Sequence, residues 1–158
     1  MILVSLINMK KYRYDGIDHI NIFSKGTTKL GQLLSNFACT PFTHWKFGKF
    51  DSVEGFWYWL GTRDDKLRGL WGYDAKKYGQ SIDKKLFKEL PTKVFRKYIR
   101  QAIAAKINQN HLLKQLLIDS VLPFDHYYLY GGIKTALPQY KWIVDWIEQQ
   151  REYWKEHN

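Results

Sequence analysis

The chain has 158 residues and a formal net charge of +10; apolar types make up 45% of it and aromatic types 17%. This length predicts one domain over residues 1–158, and the apolar content excludes a disordered chain. The positive charge favours partners that carry phosphates, because such a field attracts them in a salt-dependent way.

Cysteine and histidine usage excludes several kinds of site. Cys39 is the single cysteine, so an intrachain disulfide is impossible, and we expect the thiol to pack in the interior. None of the five histidines has the helical pair spacing that favours a metal site. Glycine-rich nucleotide loops, HExxH and GxSxG are also absent. An enzyme built on this chain must therefore use carboxylates, hydroxyls, amides and bases.

The first elements are predicted to be short strands. The apolar run Ile2–Ile7 is too short to span a membrane and has no basic residues ahead of it, so it predicts a strand rather than a signal peptide. A second strand over residues 20–23 would pair with it, with a turn at residues 14–16. A cytoplasmic protein is the expectation. Residues 25–49 predict an ordered loop with short extended pieces and a helical turn at residues 30–34.

The next segments predict helices. One begins with Asp51 as its cap, has Glu54 at its third position and ends near Gly61. A second covers residues 64–78 and ends at Gly79, and residues 83–90 form a short helix or turn.

The strongest helical pattern follows Pro91, with Thr92 as the cap and a wide apolar stripe up to residue 107. After a break at residues 108–110, a helix covers residues 111–119. Residues 127–130 predict an extended segment, and Pro138 opens a C-terminal helix. The fold class is therefore α+β and predominantly helical, with a few short strands.

Positive charge is concentrated between Lys84 and Lys106, a segment with eight basic residues and one acidic residue, Glu89. Four of them recur at i, i+3, i+4 and i+7 and form one stripe on a helix: Lys93, Arg96, Lys97 and Arg100. The stripe is either a solvated helix face or a surface that binds phosphates or nucleic acid.

Glu54 is the candidate catalytic residue. In the first turn of a helix, the dipole and free N–H groups favour its ionised form, which can orient an attacking water or stabilise a cationic sugar. Trp57 and Tyr58 follow on the same side at helical spacing, so a base could stack beside the carboxylate. The alternative is a capping box, in which Glu54 folds back onto the backbone beside Asp51.

Several blocks, in order from about residue 20 to 150, resemble NADAR (YbiA-like) domains. The blocks are Ile20-Asn21-Ile22-Phe23-Ser24, Leu34-Ser35-Asn36-Phe37, Asp51-Ser52-Val53-Glu54, Ala75-Lys76-Lys77-Tyr78-Gly79, Ala105-Lys106-Ile107-Asn108-Gln109-Asn110 and Tyr128-Leu129-Tyr130-Gly131-Gly132. The resemblance implies hydrolysis of a ribosyl C–N bond in ADP-ribosyl conjugates, including ADP-ribosylated guanine in nucleic acid, or in ribosylamine nucleotides.

The resemblance also implies which residues act. The family glutamate maps onto Glu54, and no metal or redox cofactor is called for. The residues implied to contact the substrate are Ser35, Asn36, Phe37, Trp57, Tyr58, Lys76, Gly79, Tyr128 and Gly131. The family's distribution further implies a phage or mobile-element protein that opposes ADP-ribosylating defence.

Some family positions differ in this chain. Gly55-Phe56-Trp57 stands where the family commonly has His-Tyr-Phe, and Tyr130 stands where an acid is expected. Asp125 or His126 is a candidate to supply the lost polar group; the alternative for both is a solvated turn. These departures leave two other functions open. One is a non-catalytic basic module that binds nucleic acid or nucleotides, and the other is an inhibitor or adaptor that binds an acidic protein.

Overall fold

Helices account for most of the secondary structure in the computed structural model, which describes residues 14–158. The α-helices are α1 Lys29–Leu34, α2 Val53–Thr62, α3 Gly72–Ser81, α4 Thr92–Gln109, α5 His111–Asp119 and α6 Lys141–Glu156. The strands are β1 Ile20–Asn21, β2 Phe42–His44, β3 Gly48–Phe50, β4 Phe124–Asp125, β5 Tyr127–Tyr130 and β6 Ile133–Ala136. Short 3-10 turns cover Asp65–Gly69, Lys84–Leu86 and Pro138–Tyr140. The predicted α+β, predominantly helical class is confirmed.

The described part of the chain divides into two compact units, one formed by residues 14–35 together with residues 116–158, and one formed by residues 36–115. The strand predicted over Ile2–Ile7, and its pairing with residues 20–23, lie outside the described residues. Between residues 14 and 158, the structure contains no helix with the length and apolar character needed to cross a bilayer.

In the first unit, β1 pairs in parallel with β4, and β5 forms an antiparallel hairpin with β6. Asn21 links the two pairs, because its side-chain amide donates to the Tyr127 carbonyl and accepts from the Tyr127 N–H, both at 3.0 Å. The hairpin was predicted only as an extended segment. Gly131 and Gly132 at its turn have φ angles of +55° and +77°, a conformation that favours glycine and suits a two-residue hairpin.

The second unit is built around an aromatic core. The antiparallel hairpin of β2 and β3 brings Phe42 and Phe50 against Phe56 and Trp59 of α2, with ring centroids 4.9 to 6.0 Å apart along this group. Such rings bury large areas and pair mostly edge to face, which gives these four aromatic residues a role in the core. This hairpin falls in the segment predicted as loop with short extended pieces.

Helix boundaries differ from the predicted ones where side chains compete for the cap. Ser52, rather than Asp51, caps α2, and the helix continues past Gly61 to Thr62. The helix predicted over residues 64–78 is divided into a 3-10 turn and α3, because Leu70 and Trp71 between them are extended and Gly72, where α3 begins, has a φ of +62°. Pro91 precedes α4, and Thr92 is its first helical residue instead of its cap.

Candidate active site

Glu54 lies in the first turn of α2, and Ser52 is the residue that caps this helix. The Ser52 hydroxyl accepts from the Gly55 N–H at 3.0 Å and donates to the Leu70 carbonyl at 2.8 Å. With Ser52 as the cap, Glu54 is the second helical residue, whereas a capping box needs a carboxylate at the third. The capping-box alternative for Glu54 is therefore wrong, and its side chain is available for another role.

Glu54 is half-buried, and its carboxyl group has an unusual environment. Among residues 14–158, no group donates a hydrogen bond to this carboxylate. Desolvation raises the pKa of Glu54 to about 7, and the positive charge of Lys76 acts in the opposite direction. A carboxyl group with a pKa near neutrality can exchange protons at physiological pH, as an acid or base catalyst must.

The backbone of residues 36 and 37 is attached to the starts of two helices. The Glu54 N–H donates to the Asn36 carbonyl at 2.9 Å, and the Gly72 N–H at the start of α3 donates to the Phe37 carbonyl at 2.9 Å. Lys76, one turn into α3, places its ammonium group 6.0 Å from the Phe37 ring centroid. Asn36, Phe37, Glu54 and Lys76, predicted separately from sequence blocks, therefore lie in one region of the second unit.

Trp57, Tyr58 and Gly79 have packing contacts of their own. The Trp57 ring meets the Phe95 ring edge to face, with centroids 4.7 Å apart. A Cβ atom at Gly79 would lie 2.2 Å from the Cγ of Tyr58, so α2 and α3 approach closely only because residue 79 has no side chain. Gly79 thus has a packing role, and substrate contact by Trp57 and Tyr58 stays a prediction.

The remaining predicted residues lie in the first unit. Ser35 is buried where α1 ends, and its N–H donates to the Gln32 carbonyl at 3.3 Å. His126 is bonded through Nδ1 to the Ile22 carbonyl at 2.6 Å, and desolvation lowers its pKa, so Nδ1 carries a proton and donates it. Tyr128 packs on Phe23 with centroids 5.6 Å apart, and Gly131 forms the hairpin turn.

Asp125 borders a cleft of about 220 Å³ in the first unit. The cleft is lined by Asp18, His19, Pro123, Asp125, Tyr127 and Lys134. His19 bridges Asp18 through Nδ1 and the Tyr127 hydroxyl through Nε2. Asp125 is half-buried and accepts from the His126 N–H at 2.7 Å. The solvated-turn alternative for Asp125 and His126 is wrong, because β4 and these hydrogen bonds hold them in the fold.

The predicted basic stripe lies on α4, where Lys93 and Lys97 are exposed and Arg96 and Arg100 are half-buried. Lys106, counted in the same basic run, is fully buried, and desolvation lowers its pKa to about 7. The sequence does indicate this burial, because helical spacing places residue 106 on the same face of α4 as the apolar residues 99, 102, 103 and 107.

The cysteine and the side-chain types that bind metals can be placed as well. Cys39 is exposed rather than packed inside, and its pKa is raised by desolvation and then by Asp51, so its thiol is not activated as a nucleophile. Within residues 14–158, no three side chains of the His, Cys, Asp and Glu types are grouped to hold a metal ion.

The fold is similar to a solved structure, the NMR structure of the E. coli protein YbiA. The two share 21% sequence identity and a TM-score of 0.61, over 85% of this chain and 83% of that one. No protein-family model matches the sequence, and no curated protein matches it. At this identity the likeness concerns the fold, and the YbiA-like fold implied by the sequence blocks is confirmed.

Proposed function

We propose that the protein is an N-glycosidase that hydrolyses a ribosyl C–N bond, with an ADP-ribosylated nucleobase in nucleic acid, or a related ribosylamine nucleotide, as its substrate. The observation that carries the proposal is Glu54, a half-buried carboxyl group with a pKa of about 7 that receives no hydrogen bond from residues 14–158. A YbiA-like fold and the sequence blocks around Glu54 support the same reaction.

The chemistry needs one anion at the reacting carbon. As the C–N bond breaks, its electron pair leaves with the nitrogen and the ribose gains oxocarbenium character, which an ionised Glu54 stabilises. Water then forms the new C–O bond, Glu54 accepts the proton that this water loses, and Glu54 then releases that proton to the departing nitrogen. A pKa near 7 suits a group that takes up and releases a proton within one cycle.

The neighbours of Glu54 support this role. The charge of Lys76 favours the ionised carboxylate and also attracts a phosphate. The Phe37 ring lies 6.0 Å from the Lys76 ammonium group and remains a proposed substrate contact. The basic stripe Lys93, Arg96, Lys97 and Arg100 would hold the pyrophosphate or a nucleic-acid backbone, and Ser35, Asp125, His126 and Tyr128 remain proposed substrate contacts.

The direct test is incubation with single-stranded DNA that carries ADP-ribose on guanine, followed by measurement of free ADP-ribose. We expect release by the wild type, and loss of roughly 10²- to 10⁴-fold in rate for Glu54→Gln with substrate affinity retained. Asp51→Asn, which removes the other carboxylate of the segment, is the matched control and should leave the rate unchanged.

Two outcomes would remove the proposal. The first is no release by folded protein from the DNA conjugate or from a panel of ribosylamine nucleotides. The second is full activity of Glu54→Gln. Retained binding of nucleotides or nucleic acid without turnover would instead favour the non-catalytic module.

A further inference from the structure

The turn between β2 and β3 presents a tryptophan to solvent at a fixed position. Trp45 is 75% exposed. Its ring stacks on His44 with centroids 5.9 Å apart and planes 28° from parallel. Its indole N–H donates to Oε1 of Gln101, on α4, at 3.3 Å. An exposed ring of this size, held by two contacts, is a surface suited to stacking rather than a loose loop residue.

A buried histidine fixes the position of Gln101. His44 Nδ1 accepts from the Lys46 N–H at 3.1 Å and from the Phe47 N–H at 3.3 Å, so the neutral ring carries its proton on Nε2. Nε2 then donates to Gln101 Oε1 at 2.9 Å, and desolvation lowers the pKa of His44, which keeps this tautomer neutral. Gln101 Oε1 therefore accepts from both His44 and Trp45.

The hairpin is also attached to α4 at Thr43, the middle residue of β2. The Gln109 amide accepts from the Thr43 N–H at 2.7 Å and donates to the Thr43 carbonyl at 2.9 Å, as a neighbouring strand would. Hydrogen bonds at both Gln101 and Gln109 fix the hairpin against the helix. The loss of conformational entropy when a ligand stacks on the Trp45 ring is therefore small.

Positive charge lies on the same turn and on the adjoining part of α4, around the Tyr98 ring. Lys46 donates to the Tyr98 hydroxyl at 3.3 Å and lies 5.7 Å from the Tyr98 ring centroid, and the ammonium group of Lys97 lies 6.0 Å from the same centroid. Lys97 belongs to the basic stripe of α4, so the hairpin extends that stripe. None of the contacts described for Trp45, Lys46, Lys97 or Tyr98 involves a carboxylate.

We propose that this platform, formed by Trp45, Lys46, Lys97, Tyr98 and Gln101, binds single-stranded nucleic acid. Trp45 stacks on an unpaired base, and Lys46 and Lys97 contact backbone phosphates. Stacking rings interleaved with cations are how proteins bind single strands without reading sequence, whereas paired bases in a duplex do not expose their faces. Gln101 is a positioning residue, because it acts through the orientation of Trp45.

The platform goes beyond the proposed hydrolysis. It lies on the face of α2 that carries Phe56 and Trp59, whose rings contact Phe47 of the same turn at 6.2 and 5.1 Å. Helical spacing places Glu54 and Tyr58 on the opposite face. Binding to an unmodified strand can therefore be measured whether or not the protein hydrolyses anything.

The experiment is fluorescence anisotropy with a labelled, unmodified oligo-dT of about 20 nucleotides. We expect Trp45→Ala to weaken binding at least fivefold, the lower end of base–aromatic stacking energies of about 1 to 3 kcal/mol, and Trp45→Tyr to restore most of it. Tyr153→Ala is the matched control, because Tyr153 is also exposed and stacked on a histidine, with centroids 4.1 Å apart. Gln101→Ala should give a smaller loss of affinity. The double variant with Trp45→Ala should bind no more weakly than Trp45→Ala alone, because Gln101 acts through Trp45.

Salt dependence tests the charges. Lys46→Ala and Lys97→Ala should each reduce the slope of log affinity against log salt by about 0.7, while Lys29→Ala leaves it unchanged. Equal binding of wild type and Trp45→Ala would overturn the proposal, as would duplex binding as tight as single-strand binding. The oligo-dT carries no ADP-ribose, so this assay measures binding alone and its failure is distinguishable from a failure of the proposed hydrolysis.

Discussion

The ring of Tyr58 lies so close over Gly79 that a Cβ atom at residue 79 would be 2.2 Å from the ring Cγ and 2.6 Å from both Cδ atoms. This contact joins the two helices that carry Glu54 and Lys76. The separation of α2 and α3 therefore depends on the missing side chain at one position, and the environment of the Glu54 carboxyl depends on that separation.

Gly79→Ala should destabilise the protein, because the added methyl group forces the helices apart or displaces a ring. We expect a loss of about 1 to 3 kcal/mol in the free energy of unfolding, measured by urea denaturation. Gly69→Ala is the matched control, since no atom lies within 4 Å of the Cβ that it adds, and it should change stability by less than about 0.5 kcal/mol. Equal stability of Gly79→Ala and wild type would show that the contact relaxes without cost.

Lys76→Met should raise the pKa of Glu54 above its value of about 7, because it removes the charge that favours the carboxylate. The measurement is an NMR titration of glutamate side-chain carboxyl carbons, with the Glu54 resonance assigned from its absence in Glu54→Gln. Lys77→Met, at the next position but exposed, should leave the titration unchanged. If Glu54 hydrolyses substrate, the midpoint of the rising pH–rate profile should move upward in Lys76→Met by the same amount.

Glu54→Gln should stabilise the protein at neutral and alkaline pH. The folded-state pKa of Glu54 is raised above the unfolded value of 4.5, so between pH 4.5 and about 7 the unfolded chain loses this proton first and stability falls as pH rises. Removing the ionisable group should gain up to about 3 kcal/mol at pH 8 and little at pH 4. Unfolding midpoints of both proteins at the two pH values give the result, and a gain of equal size at both would contradict it.

Lys106→Met should remove a rise of stability with pH. Burial lowers the folded-state pKa of Lys106 to about 7 from 10.5, so between these values the unfolded chain holds one more proton and stability increases with pH. From pH 7 to pH 9 the wild type should gain up to about 2 to 3 kcal/mol relative to Lys106→Met. Lys97→Met, which changes an exposed lysine of the same helix, should keep the wild-type dependence. Parallel curves for Lys106→Met and wild type would contradict the prediction.

Periodicity alone predicted the helical elements that bury a long apolar face. The run from His111 to Asp119 became α5 at its predicted bounds, and the pattern after Pro91 became α4, which continues two residues past the predicted end at residue 107, because 3.6-residue spacing of large apolar side chains is a local property. The first-turn position of Glu54 was also predictable, since candidate caps surround it. The identity of the cap was not predictable from the sequence. Ser52 is the cap because its hydroxyl also donates to the Leu70 carbonyl, a partner 18 residues away.

Partners distant in sequence decided the rest. The hairpin of β2 and β3 depends on aromatic packing and on Gln101 and Gln109, more than 50 residues further along, so no local pattern revealed it. The raised pKa of Glu54 comes from desolvation, which the tertiary structure imposes; the sequence predicted only an ionised carboxylate in a helix dipole. Spacing identifies which face of a helix is apolar, but burial of a charge depends on what other segments bring against it.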